Sequence, residues 1–156
     1  MPYYHIYNQL IAFQSRIPKS KLVPKNVYRI VRYKYADGNV GSFTGTKSTL
    51  IFLIGITPDK KLNCLKISEV KPFIFFRWLN SCKKPTITDD YIDELINMNE
   101  LFGKTDKGGR QLFNSSIKNR PIYKRPEHIY RTYNLTGISE IYEVDFKKDV
   151  FKQYLT

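Results

Sequence analysis

The residues able to do chemistry are few and scattered. His5 and His128 have no Cys, second His or carboxylate at metal-ligand spacing. Cys64 and Cys82 both sit in apolar stretches, where a thiol stays protonated and inert. Two cysteines cannot frame a disulfide scaffold. The segment Gly41-Ser42-Phe43-Thr44-Gly45-Thr46-Lys47-Ser48 imitates a phosphate loop. Its glycines stand too close together, however, and Thr46 separates Gly45 from the lysine. It falls between two predicted strands and fits a hairpin connection better. Asp89/Asp93 and Asp90/Glu94 stand i,i+4 on a predicted helix and could chelate a hard cation; such pairs more often form a solvated helix face. No serine has the context of a nucleophile elbow. The sequence thus predicts no catalytic residue, no metal site and no cofactor.

Charge is the stronger signal. Lys and Arg number 26 against 14 Asp and Glu, a formal net charge of +12 over 156 residues. A domain this basic attracts nucleic acid, acidic protein surfaces or anionic lipid. Lysine leads, which suits attraction to a backbone more than the reading of base edges. AT-rich codon usage is a blander source for part of the lysine excess. The cations gather in two regions. Arg16, Lys19, Lys21, Lys25, Arg29, Arg32 and Lys34 precede the first acid, Asp37. Lys104, Lys107, Arg110, Lys118, Arg120, Lys124, Arg125 and Arg131 are opposed only by Asp106 and Glu127. All of these except Arg16 are candidate contacts to nucleic acid or a protein partner. In Tyr28-Arg29, Arg32-Tyr33-Lys34-Tyr35, Tyr123-Lys124-Arg125 and Tyr130-Arg131-Thr132-Tyr133, a charge for phosphate adjoins a ring able to stack on a base. Strand neighbours point to opposite faces, so the ring of each pair can equally belong to the core.

The elements that must position these residues suggest one α+β domain, 26–156, behind an extended basic N-terminal arm, 1–25. Pro18 and Pro24 favour extended chain in that arm. Strands are predicted at 26–35, 50–56 and 62–70, with turns at Ala36-Asp37-Gly38-Asn39 and Thr57-Pro58-Asp59-Lys60. The continuous apolar run from Leu50 to Ile56 is a strand covered on both sides. Such a meander curls into a small barrel or half-barrel. Pro72 opens a helix bearing Phe73, Phe75, Phe76, Trp78 and Leu79. A plug at the end of the barrel suits these rings better than a base-stacking platform. A second helix follows Thr88, with Ile92, Leu95 and Met98 on its apolar side. Asp89, Asp90, Asp93, Glu94 and Glu100 give it an acidic ridge. A loop is expected at 106–110 and extended chain at 120–126. Strands return at 129–134 and 138–146, and a helical turn is expected at 150–155. On the last strand the pattern predicts Ile138, Tyr142, Val144 and Phe146 on one face, Glu143 and Asp145 on the other. Residues 1–13 lack a secretory pattern, and 50–56 is too short to span a bilayer. A cytoplasmic place, without membrane contact, is expected.

The strand Val27-Tyr28-Arg29-Ile30-Val31, the two strands after it, the late Tyr130-Arg131-Thr132-Tyr133 step and the strand from Ile138 to Val144 carry a resemblance. Over 26–146 the layout resembles small SH3-like barrel proteins of T4-like and other tailed bacteriophages. The resemblance implies an SH3-like barrel or half-barrel of about five strands with two inserted helices. It implies a virion component, or a protein that handles phage DNA. The layout is also similar to endoribonuclease toxins of the PemK/Kid type, which set an Arg and a Ser or Thr near RNA. Arg29 or Arg32 with Thr44 or Ser48 would be the counterparts. The Arg-Pro opening of those toxins is absent before Leu50. The leading expectation is a non-enzymatic structural or adaptor protein of the virion, assembled in the host cytoplasm. It would dock on acidic virion proteins or DNA, with several copies in a ring or larger assembly. A sequence-non-specific nucleic-acid-binding protein is the alternative, and a barrel endoribonuclease comes third.

Overall fold

The computed structural model describes residues 3–35, 43–81, 89–103 and 129–153. Stretches rich in β-branched and aromatic residues become strands: β1 (Ile11–Ile17), β2 (Val27–Tyr35), β3 (Phe43–Ile56), β4 (Lys61–Lys66), β5 (Tyr130–Asn134) and β6 (Ile138–Phe146). They form one antiparallel sheet in the order β1-β6-β2-β3-β4-β5. The helices among the described residues are α1 (Tyr4–Leu10), α2 (Pro72–Ser81), α3 (Asp89–Gly103) and α4 (Lys148–Gln153). The fold is α+β, as the sequence predicts. None of these helices is long and apolar enough to cross a membrane. The expected features at 36–39, 106–110 and 120–126, and Cys82, lie outside the described residues.

The opening segment is more structured than an extended arm. It supplies α1, then β1, which pairs with β6 at the edge of the sheet. Tyr3 gives α1 no side-chain cap. Tertiary contacts hold the helix instead. The buried Tyr7 hydroxyl donates to the Val70 carbonyl at 2.8 Å, and the Tyr3 amide to the Ser68 carbonyl at 2.6 Å. The turn after β3 forms where the sequence places it. The Lys60 amide bonds the Thr57 carbonyl at 3.0 Å, with Lys60 in the left-handed region at φ 62°.

Alternation along β3 builds two cores. Leu50 and Phe52 face the helices, while Ile51 and Leu53 face the other way, and all four are buried. On the helix side Phe52 meets Trp78 edge to face, centroids 5.5 Å apart. The Trp78 indole donates to the Tyr91 carbonyl at 2.7 Å, tying α2 to α3. The rings of α2 thus pack on the outer face of the sheet, among α1, α3 and β3, rather than stopping the barrel's end.

The inner core joins Tyr28, Ile30, Ile51, Leu62, Cys64 and Ile141, with Leu22 over them. In a flat sheet β2 and β5 would lie about 14 Å apart, three strand spacings. Yet the Arg32 guanidinium of β2 sits 4.4 Å from the centre of the Tyr133 ring of β5. The sheet is therefore strongly curled, in the manner of a half-barrel.

Two further expectations need correction. Arg32 pairs with Ile138 and Val31 with Glu140, so Ser139 bulges between them. The bulge turns Ile138 inward beside Ile141, away from the face of Val144 and Phe146. On α3, Asp90 and Glu94 are exposed, but Asp93 is only 4% exposed and does not belong to a solvated ridge. No group of three or more His, Cys, Asp or Glu side chains converges among the described residues.

Candidate nucleic-acid interface

The inner face changes character along its length. Arg32 lies two residues beyond Ile30 on β2, and its partner across the ladder is Lys47. Lys47 stands on the same side of β3 as Thr49 and Ile51, and Lys34 follows Arg32 on β2. From the far side of the curl, β5 contributes Arg131, opposite Cys64, and β4 ends in Lys66. Four strands thus bring Arg32, Lys34, Lys47, Lys66 and Arg131 to one end of the inner face. Beyond that end β2 and β3 continue as a two-stranded ribbon, because β6 pairs with β2 only to Arg32 and β4 with β3 only from Ile51.

The arginines are fixed by what they touch. The Arg32 guanidinium lies over the Tyr133 ring and donates from Nη2 to Thr49 Oγ1 at 3.4 Å. Arg131 approaches the same ring, 5.6 Å from its centroid. Arg32 Nε is buried without a hydrogen-bond partner, and the Tyr133 hydroxyl, beside the Arg131 guanidinium, is buried without an acceptor. Buried donors in this state are uncommon. Lys66 is balanced by Glu69, Nζ to Oε1 3.7 Å. Positive neighbours press on Lys47: Lys66 first, then partial burial, then Arg32, Arg131 and Lys34 hold its ammonium below the usual lysine range. Burial pushes the Cys64 thiol up to about 12, against the pull of Arg131 and Arg32. It is therefore no nucleophile at neutral pH. Burial likewise raises the Tyr133 hydroxyl, while Arg32 and Arg131 draw it back. A cleft of about 290 Å³ opens beside the β3 edge that β4 leaves bare, lined by Tyr4, Lys47, Ser48, Thr49, Lys66 and Ser68.

Of the expected contacts, Arg32, Lys34 and Arg131 meet here. Arg29 does not: it lies on the helix side of β2 and donates to Asn8 Oδ1 at 3.2 Å. Lys19 and Lys21 flank a 3₁₀ turn at Lys19–Lys21, where Lys19 Nζ tethers the Leu135 carbonyl at 2.9 Å. Lys25 forms a turn at φ 71°, its amide on the Leu53 carbonyl at 2.7 Å. Lys104, Lys107, Arg110, Lys118, Arg120, Lys124 and Arg125 lie outside the described residues. Lys47 and Lys66 were not among the expected contacts; the alternation that continues back from Ile51 through Thr49 would have placed Lys47 on the inner face. The tyrosines beside these cations take different places. Tyr28 is buried with its hydroxyl near the Val23 backbone, Tyr133 is roofed by Arg32, and Tyr33 points to the face opposite Arg32. The toxin-like pairing also changes: Arg32 meets Thr49, whereas Ser48 lies on the other face of β3, and the Thr44 side chain lies outside the described residues.

Compared with protein-family models, curated proteins and solved structures, the chain matches none.

Proposed function

We propose that this chain is a non-enzymatic docking protein whose inner face grips a nucleic-acid backbone with little regard to base sequence. The observation that carries the reading is the convergence of Arg32, Lys34, Lys47 and Arg131 at one end of a curled sheet. Cations on rigid strands suit phosphates. Tyr133, the ring that these arginines approach, is buried and serves the core, whereas Tyr33 between Arg32 and Lys34 is exposed on the opposite face. An SH3-like barrel is part of this proposal: the order β6-β2-β3-β4-β5, with a 3₁₀ turn at Leu135–Gly137 joining β5 to β6, supports it. A place in a tailed-phage particle, beside packaged DNA or acidic subunits, would use the same surface.

The test is binding of single- and double-stranded oligonucleotides followed by fluorescence anisotropy across a salt series. The expected result is affinity that falls linearly on logarithmic axes, with similar values for unrelated sequences. Affinity that ignores salt would sink the proposal. The Arg32–Thr49 contact favours one second reading, RNA cleavage. Cleavage of mixed RNA by the wild type, lost in Arg32→Ala, would establish that reading in place of docking.

A further inference from the structure

The cationic end of the inner face carries more detail than a diffuse attraction to a polyanion needs. Two guanidinium groups approach one ring, at 4.4 Å and 5.6 Å from its centroid. A guanidinium that lies on a ring keeps its edge donors, which are set in a planar fork. Arg32 is pinned further by Thr49 Oγ1. Two buried donors in the group, Arg32 Nε and the Tyr133 hydroxyl, lack an acceptor. A structural arginine cluster would meet carboxylates; here the charges that bear most on Lys47 are those of Lys66, Arg32, Arg131 and Lys34, all positive. The missing partner is therefore acceptor-rich and anionic. Lys47 and Thr49 also line an adjoining cleft of about 290 Å³ that neither arginine borders; it is small for a drug-sized ligand and roomy for one phosphoryl group.

We propose that Arg32, Arg131 and Lys47 form a discrete seat for a single phosphoryl oxyanion, rather than a smooth basic track. Its larger ligand rests on the nucleic-acid reading above. The two sources of that chemistry are an internal phosphodiester and a free or terminal phosphate. Both offer tetrahedral oxygens to the forked donors, with Lys47 as a point charge at the rim.

Arginine side-chain Nε–H resonances can be followed during titration of the full chain with inorganic phosphate, at constant ionic strength made up with chloride. The Arg32 and Arg131 signals should shift and saturate together, while Arg29 on the opposite face stays still. Arg32→Lys keeps the charge but loses the fork, and should weaken phosphate binding about tenfold. If the shifts follow ionic strength alone, or Arg32→Lys binds phosphate as well as wild type, the seat is refuted. A second arm uses a single-stranded oligonucleotide without terminal phosphate. The same two signals moving at lower ligand concentration would assign the seat to the diester. Phosphate seating without oligonucleotide binding would keep the seat for free or terminal phosphate and remove the nucleic-acid reading. Oligonucleotide binding that leaves Arg32 and Arg131 unmoved would overturn the seat and leave that reading intact.

Discussion

On the outer face of the sheet Phe52 lies under Trp78 and Phe75, and the polar atoms of Trp78 and Tyr7 end on backbone carbonyls. On the inner face the same strands lead from Ile30, Ile51 and Cys64 to Arg32, Lys47 and Arg131, where donors remain without acceptors. One sheet thus carries a face packed with aromatic rings and a face that ends in clustered positive charge. The difference teaches that stability and binding are separable here. Substitutions at the helices should move the first, and substitutions at the cationic end the second.

The largest effect should come from the outer face. Trp78→Ala removes a 2% exposed indole and its hydrogen bond, and should cost about 3–5 kcal/mol of unfolding free energy in urea titrations. The molecules that remain folded should bind oligonucleotides as the wild type does. Weaker binding per folded molecule would mean the faces are coupled. Next, the double substitution Arg32→Ala with Arg131→Ala should flatten the salt dependence of nucleic-acid affinity by about 2 logarithmic units of slope. Its stability should change far less than that of Trp78→Ala. An unchanged slope would move the interface elsewhere.

A smaller effect sharpens the contrast from outside both cores. Lys60→Gly relieves a left-handed lysine in the β3–β4 turn and should stabilise by about 0.5 kcal/mol. It also removes a cation, yet far from the inner face its affinity for nucleic acid should hold. A clear loss would favour diffuse charge over a defined site. The smallest effect belongs to Lys47→Gln. Crowding by Lys66, Arg32 and Arg131 makes folded Lys47 release its proton at lower pH than the unfolded chain does. Through that alkaline window the folded state holds fewer protons, so stability rises with pH. The gain is complete only above the ordinary lysine range. Subtracting the Lys47→Gln pH profile from the wild-type profile should isolate this rise, and added salt should shrink it. A falling difference curve would show that Lys47 faces an acid instead.

Much of the scaffold was legible in the sequence, for reasons that can be named. β2 and β6 follow from alternating β-branched residues, α2 from a proline at its first turn, and the β3–β4 turn from Pro58-Asp59. α1 was not legible because nothing local caps it; Tyr7 holds it through Val70, far along the chain. The inward turn of Ile138 was hidden because a bulge leaves no mark in a period-two pattern. The candidate interface was half visible. Arg32, Lys34 and Arg131 stood out as cations beside tyrosines, but their meeting with Lys47 and Lys66 depends on the curl that brings β5 over β2. Arg29 shows the opposite lesson: three residues from Arg32, it belongs to the other side of the sheet.

The strand order also governs when this protein can become itself. β6 lies between β1 and β2, although it is formed more than a hundred residues after them. Until that late segment arrives, β1 has no neighbour in the sheet and β2 has one open edge. Pairings this distant in sequence close slowly, and an open edge in the meantime invites strands from other chains. A ribosome making this chain would hold an unfinished sheet until Ile138–Phe146 had emerged. The final strand then acts as the keystone, seating the first strand and completing the wall behind Arg32 in a single late event.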